Sequence, residues 1–166
     1  MNREVHSGGC QCGAIRYKVA GELGYPHICH CRMCQKAGGN FFMALAGTRA
    51  ENLLMMRGEP RWFRSSDPCG RGFCDNCGTP LLFRTVGSPY ISVTIGSLDK
   101  PEAVVPVSQD GVESRLSYFD KLFSLPENPT DRSDLADGNA AISASNHQHP
   151  DHDTVVWPPK RTEHDQ

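Results

Sequence analysis

The stretch Cys74-Asp75-Asn76-Cys77-Gly78 holds two cysteines separated by two residues and followed by a glycine. The spacer lets both sulfurs face one point, and the glycine permits the tight backbone turn that this arrangement needs. A tighter pair of the same kind, Cys10-Gln11-Cys12-Gly13, lies near the start of the chain. Four thiolates that face one point suit a zinc ion, and metal binding of this kind is coupled to folding. We therefore expect a closed, structural zinc site on Cys10, Cys12, Cys74 and Cys77.

A third cluster, Cys29-His30-Cys31-Arg32-Met33-Cys34, supplies three cysteines. Three thiolates give a zinc complex a net negative charge, which lowers the Lewis acidity of the metal and disfavours activation of water. A fourth thiolate from a small molecule is a natural ligand, and zinc keeps such a thiol deprotonated and nucleophilic. The residues leave two alternatives open: an open catalytic site, or a second closed site completed by His27, His30 or Cys69.

The cysteine count of eight also permits a disulfide framework. Two features favour zinc instead: the chain begins without an apolar segment for export, and it is long enough to bury a core without cross-links. A Cys-x-Cys pair is also too cramped to close comfortably on itself. We therefore expect free thiols in a reducing compartment and a cytoplasmic protein.

The charge of the chain is nearly balanced, with 17 Lys and Arg against 19 Asp and Glu. The basic residues are scattered, whereas a dedicated nucleic-acid binder concentrates them in a stripe. No apolar run is long enough to span a membrane. We therefore expect neither nucleic acid nor membrane as a partner.

Short β-type segments separated by Gly and Pro turns recur along the chain and predict a mainly β, antiparallel fold. Helical periodicity is confined to one turn at 31–37, ended by Gly38-Gly39. A hairpin is predicted through 86–89, and Pro106, which has no N–H to donate, marks 104–107 as an edge strand. The predicted strands are 15–19, 41–46, 53–56, 61–64, 81–84, 90–95 and 104–107.

The composition changes after residue 126 and divides the chain into a zinc-binding domain, 1–126, and a polar tail, 127–166. The tail is rich in Asp, Asn, Ser, His and Pro, which predicts disorder. Its histidines, His147, His149 and His152, have nothing nearby to fix a ligand geometry, so we expect them to be solvated. Trp157 and the two valines before it are candidates to dock on the domain or on a partner.

Three motifs resemble those of the glutathione-dependent formaldehyde-activating enzyme (Gfa-like) family. They are residues 7–17, which contain the pair Cys10 and Cys12; residues 29–36, which contain the three-cysteine cluster, with Gly39 following; and residues 71–81, which contain the pair Cys74 and Cys77. They occur in the family's order, and the likeness spans about residues 7–126. The resemblance implies a β-tent fold of packed antiparallel sheets with zinc knuckles. It also implies a structural zinc on Cys10, Cys12, Cys74 and Cys77 and a catalytic zinc on Cys29, Cys31 and Cys34.

The family's activity joins glutathione to formaldehyde to give S-(hydroxymethyl)glutathione, formally a carbon–sulfur lyase reaction in reverse. The resemblance thus favours the open, catalytic form of the three-cysteine site, with a thiol and a small aldehyde as partners. Arg32, Lys36 and Arg71 are candidate cations for an anionic cosubstrate, although each is expected to be solvated. The alternatives are a non-catalytic two-zinc interaction protein and a redox sensor in which Cys69, a departure from the family pattern, is the reactive thiol.

Overall fold

The computed structural model describes residues 4–134, 136 and 138–157. Most regular structure in these residues is β, which confirms the predicted mainly β class. The strands are β1 (Val5–Gly9), β2 (Arg16–Ala20), β3 (Gly24–Cys29), β4 (Met43–Arg49), β5 (Leu53–Arg57), β6 (Arg61–Arg64), β7 (Cys69–Phe73), β8 (Pro80–Thr85), β9 (Tyr90–Thr94) and β10 (Ser108–Asp110). The α-helices are α1 (Arg32–Gly38) and α2 (Gly138–Ala144). Several short 3-10 helices lie elsewhere along the described chain. None of the described helices has the length and apolar character to cross a bilayer.

The strands form two sheets, as the resemblance to a β-tent implies. One is three-stranded, in the order β1-β2-β5, and the other is seven-stranded, in the order β10-β3-β4-β9-β8-β7-β6. Neighbouring strands are antiparallel, except that β10 runs parallel to β3 at the edge of the larger sheet. The predicted antiparallel architecture is therefore confirmed, with one parallel edge.

Most predicted strands lie where expected: β2, β5, β6, β8 and β9 match within one residue at each end, and β8 pairs with β9 as a hairpin. The segment predicted at 41–46 begins at Met43 and extends to Arg49. The edge strand predicted at 104–107 is wrong, because the ladder starts only after Pro106. There the Val107 N–H bonds the Pro26 carbonyl at 2.7 Å and β10 follows.

The helical turn predicted at 31–37 is confirmed as α1. Its N-cap is Cys31, whose sulfur accepts the backbone N–H of Cys34 at 3.4 Å. Its C-cap is Gly39, whose φ of 59° lies in the left-handed region that glycine adopts without strain. The capping interaction therefore brings two cysteines of one cluster together on a single helical turn.

The buried apolar residues form two clusters of unequal size. The larger contains the fully buried Tyr17, whose hydroxyl bonds Ser97 at 2.7 Å, and it includes Cys10 and Cys74. The smaller consists of Cys34, Met43 and Leu45, with Cys29 and Cys31 packed against them. The two cysteine groups thus belong to different cores, and the four-cysteine group is part of the one that supports both sheets.

The described part of the tail contacts the domain. The composition of the tail did not indicate these contacts. His149 is buried, and its N–H bonds the Gln11 carbonyl at 2.7 Å. Of the candidates for docking, Trp157 donates its indole N–H to the Cys12 carbonyl, whereas Val155 and Val156 are exposed. Residues 158–166 of the predicted disordered segment lie outside the described residues, and the domain boundary at 126 stays a prediction.

Candidate metal centres

The four cysteines of the first group converge from the two sheets. Cys10 and Cys12 follow β1 of the three-stranded sheet, and Cys74 and Cys77 follow β7 of the larger sheet. All four sulfurs lie within 4.8 Å of one another. A metal ion held here therefore connects the two sheets.

Two turns place these sulfurs. In the first, Gly13, with φ of 71°, closes a turn in which its N–H bonds the Cys10 carbonyl at 3.0 Å. In the second, Gly78, with φ of 77°, donates its N–H to the Cys74 carbonyl at 2.8 Å. Thr79 joins the two turns, since its hydroxyl accepts the Gln11 N–H at 3.0 Å. The glycines after each pair thus serve the role that the sequence predicted for them.

The spacing of the four sulfurs fits zinc. Tetrahedral Zn²⁺ with thiolate bonds of about 2.3 Å holds its sulfurs about 3.8 Å apart. The Cys10 and Cys12 sulfurs are 3.6 Å apart, and those of Cys12 and Cys74 are 3.8 Å apart. Backbone and amide N–H groups also reach the sulfurs, from Ile15 to Cys10 at 3.2 Å and from Asn76 to Cys12 at 3.0 Å. Hydrogen bonds from such donors hold thiolate ligands of a metal in place.

The three-cysteine group is built locally, at one end of the larger sheet. Cys29 ends β3, Cys31 caps α1 and Cys34 lies in its first turn, and the three sulfurs lie within 4.8 Å of one another. No His, Asp, Glu or further Cys of the described residues joins this group. The donor set of soft thiolates fits zinc, as in the first group.

The candidates for a fourth protein ligand lie elsewhere. His30 is buried between Phe42 and Phe119, with its Nε2 3.0 Å from the Gln109 side-chain oxygen. His27 has its Nδ1 2.9 Å from the Tyr25 carbonyl. Cys69 is half-buried at the start of β7, paired with Thr85 in the sheet, and belongs to neither sulfur group.

Arg71 was a candidate cation in the sequence, but its burial beside the three sulfurs was not expected. Its side chain is buried, and its Nη2 donates to the Cys34 sulfur at 3.3 Å while its Nη1 lies 3.6 Å from the Met43 sulfur. Its guanidinium carbon is 5.1 Å from the centre of the Phe83 ring. The expected solvated charge is therefore a buried cation beside the three sulfurs. The available signal was its position three residues before Cys74, but a lone Arg is usually solvated.

The thiols of each group differ in acidity. In the four-cysteine group, burial raises the pKa of Cys10 and Cys74, whereas at Cys77 hydrogen bonds from Thr79 and Cys12 outweigh burial and lower the pKa to about 6. In the three-cysteine group, burial raises the pKa of Cys29 to about 12. At Cys31, hydrogen bonds from Cys34 outweigh burial and lower the pKa. Most ligands must therefore lose a proton on metal binding, so the affinity of both groups for zinc rises with pH.

A model of one protein family matches most of the chain. Its description is glutathione-dependent formaldehyde-activating enzyme, and it matches residues 5–113. This range contains both cysteine groups and all ten strands. It ends before residue 126, so the match does not include the tail.

Individual relatives match over shorter segments. A protein of Halomonas elongata named "Putative glutathione-dependent formaldehyde-activating enzyme" is 31% identical over 45% of this chain and 52% of that protein. An "Uncharacterized lyase" of Schizosaccharomyces pombe is 33% identical over 47% of this chain and 56% of that protein. The matches thus span about half the length of these two relatives.

A solved structure supports the fold. The crystal structure of a Rhodobacter sphaeroides protein superposes with a TM-score of 0.51 and 23% identity. The match covers 62% of this chain and 98% of that chain. At this identity the likeness concerns the fold alone.

Proposed function

Because this chain belongs to the glutathione-dependent formaldehyde-activating enzyme family, we propose that it is a zinc-dependent enzyme of the carbon–sulfur lyase type. It joins a thiol, glutathione, to a small aldehyde such as formaldehyde and gives S-(hydroxymethyl)glutathione. Cys10, Cys12, Cys74 and Cys77 hold a structural zinc, and Cys29, Cys31 and Cys34 hold a catalytic one. The active unit is the domain 1–126, and its many free thiols suit the reducing cytoplasm.

The observation that carries this proposal is the unequal make-up of the two sulfur groups. One offers four ligands within the main core, and the other offers three beside a buried cation. A zinc ion held by the three sulfurs supplies a soft Lewis acid that keeps a further thiol deprotonated near neutral pH. A closed four-ligand site has no position for a substrate, whereas a three-ligand site has one.

The reaction needs only a nucleophilic sulfur and a proton. The thiolate sulfur gives an electron pair to the aldehyde carbon and forms the C–S bond, while the C=O π pair moves onto the oxygen. The proton that the thiol lost returns, through solvent, to that oxygen and completes the hydroxymethyl group. Arg71 contributes a fixed positive charge beside the Cys34 sulfur, where negative charge gathers. A fixed positive charge of this kind favours the thiolate form of the sulfur beside it.

The test is the rate of adduct formation from glutathione and formaldehyde, followed by NMR with the zinc-loaded full chain. We expect acceleration above the spontaneous reaction by at least about tenfold, a modest share of what a fixed charge and a held nucleophile supply. A mild chelator should remove the acceleration, and added zinc should restore it. If several aldehydes all react at the spontaneous rate, the chain is a two-zinc binding protein and the proposal is wrong.

A further inference from the structure

Arg71 carries a buried charge with an incomplete set of partners. It is 8% exposed, and its Nε–H is buried without a hydrogen-bond acceptor among the described residues. None of the ion pairs found in the described part of the chain includes it. A buried guanidinium is costly unless an anion pairs with it, and the Cys34 sulfur supplies only one contact. The unused donor indicates that an anion binds here.

A cavity of about 340 Å³ adjoins Arg71. Two further cations line it, Arg32 and Lys36, which lie one turn apart on α1, together with Ser65 and apolar side chains. No acidic side chain is part of this lining. A concave surface with three cations and no carboxylate attracts anions and raises their local concentration.

Resting on the proposed function, we infer that this cavity binds a carboxylate of the thiol cosubstrate. The sulfur of the cosubstrate then lies at the three-cysteine group, and its carboxylate pairs with Arg71, Arg32 and Lys36. A guanidinium presents paired N–H donors that match a carboxylate. The enzyme therefore selects thiols that carry a carboxylate over neutral thiols of similar size.

The test is calorimetric binding of two small thiols, 3-mercaptopropionate and 2-mercaptoethanol, to the zinc-loaded full chain. We expect about tenfold tighter binding of 3-mercaptopropionate, with a preference that falls as salt is added. The double variant Arg32→Gln/Lys36→Gln changes two exposed positions, of which Arg32 donates one hydrogen bond to Gln35, and it should reduce the preference to about twofold. Lys100→Gln, an exposed cation outside the cavity, is the matched control and should leave the preference unchanged.

Equal affinity for the two thiols in the unaltered protein would overturn this inference, as would a preference that the double variant retains. Because the measurement is binding and not turnover, its result stands apart from the rate assay. Equal acceleration of the reaction of both thiols would support the proposed function and refute only the carboxylate site. Preferential binding of 3-mercaptopropionate without turnover would support the carboxylate site and refute the proposed function.

A second, independent set of contacts concerns residues 149–157, which we name the C-terminal strap. Its two ends bond the backbone of the first cysteine pair. The backbone N–H of His149 donates to the Gln11 carbonyl at 2.7 Å, and the indole N–H of Trp157 donates to the Cys12 carbonyl. The His149 and Trp157 rings meet edge to face, with centres 5.0 Å apart. A side chain on Gly13 would collide with both rings, so the strap lies directly on this turn.

Charged groups hold the middle of the strap against β2 and β5. Asp153 bonds Arg16 at 2.9 Å and Lys18 at 2.8 Å, and Arg16 also pairs with the buried Asp99. Arg57 donates to the Thr154 carbonyl and, at 3.1 Å, to its hydroxyl. These polar contacts give the strap an ordered conformation that its composition alone does not predict.

We propose that the strap shields the four-cysteine site and slows the loss of its metal. This proposal rests on the assignment of zinc to that site, not on turnover. The strap covers the backbone of Gln11, Cys12 and Gly13. Its residues His149 and Pro150 also line, together with Cys10 and Cys77, a cavity of about 470 Å³ by which a chelator can approach the metal. The three-cysteine group makes no contact of this kind with the strap among the described residues.

The test is the rate of zinc release from the full chain to an excess of a coloured chelator. The variant Asp153→Ala/Trp157→Ala should release its slower zinc about tenfold faster, the factor expected when two partly exposed ion pairs and the Trp157 hydrogen bond that hold the closed state are removed. Asp151→Ala changes an exposed strap residue without a hydrogen bond in the described structure and is the matched control. An unchanged slow phase in the double variant would refute the shielding role, and an equal acceleration of both phases would show general destabilisation instead.

Discussion

The Cys34→Ser variant is expected to fold, to bind one zinc ion fewer and to lose the acceleration of thiol–aldehyde addition. Cys34 belongs to the small core cluster, and its group is confined to β3 and α1. The serine hydroxyl is a poor zinc ligand but still accepts a hydrogen bond from Arg71. The altered contact itself costs about 1–3 kcal/mol, the usual cost of one changed buried polar group, and the stabilisation that the bound zinc supplied is lost in addition. The rate should fall to that of the spontaneous reaction, because the variant loses the metal and the held thiolate that supply the acceleration.

Zinc content by mass spectrometry of the native protein, thermal unfolding and the rate assay together check this prediction. Cys69→Ser is the matched control, because Cys69 is half-buried and belongs to neither sulfur group. It should retain both zinc ions and the unaltered rate. A Cys34→Ser protein that is globally unfolded, or that keeps its full rate, contradicts the role given to this cluster.

The Cys74→Ser variant is expected to prevent folding of the domain. Cys74 is fully buried in the main core, and its group joins β1 of one sheet to β7 of the other. A structural zinc contributes roughly 10–16 kcal/mol to folding, whereas a whole domain is stable by roughly 5–15 kcal/mol. The free energy lost with this site is therefore larger than the free energy of folding that the remaining contacts supply.

Circular dichroism and thermal melting test this second prediction. We expect Cys74→Ser to show no cooperative transition. Cys12→Ser removes a zinc ligand that is only partly buried. Its effect on stability therefore reports the loss of zinc without the added cost of a hydroxyl group in the core. A cooperative transition in Cys12→Ser and Cys74→Ser near that of the unaltered protein would mean that this metal site does not hold the fold.

The sequence predicts strands well where alternation and turn residues coincide. The segments that became β5, β6, β8 and β9 carry β-branched, aromatic or long apolar side chains between Gly and Pro turns. Four strands escaped prediction. Three of them, β1, β3 and β7, are rich in Gly, Cys and His, which have little intrinsic strand preference, and the fourth, β10, is a short polar strand at the edge of the sheet. Their conformation depends on pairing with distant strands, and a single sequence contains no direct signal of that pairing.

The cysteine groups were predictable because metal-ligand spacing is local. Cys10 and Cys12 lie more than sixty residues before Cys74, yet the count of ligands predicted that they meet. Arg71 was not predictable in the same way, because a lone Arg is usually solvated. Its burial comes from the neighbours that the sheet provides, Phe83 across from it on β8 and Met43 nearby.

The order of the tail also could not be predicted from the sequence. Its composition predicts disorder because few apolar side chains are available to bury. The strap is held instead by Asp153, Thr154 and backbone groups that pair with Arg16, Lys18, Arg57 and Gln11. Pairing of this kind depends on where the partners lie in space, which composition does not describe.

Cobalt(II) substitution tests the central claim, that one cysteine group is closed and the other accepts a thiol. The visible absorption of cobalt depends on the number of thiolates around it, so each site reports its own ligands. Titration with glutathione should shift the absorption of one of the two cobalt ions toward a four-thiolate spectrum, and Cys34→Ser should abolish that shift. A spectrum that does not respond to glutathione, or a response that persists in Cys34→Ser, would contradict the account.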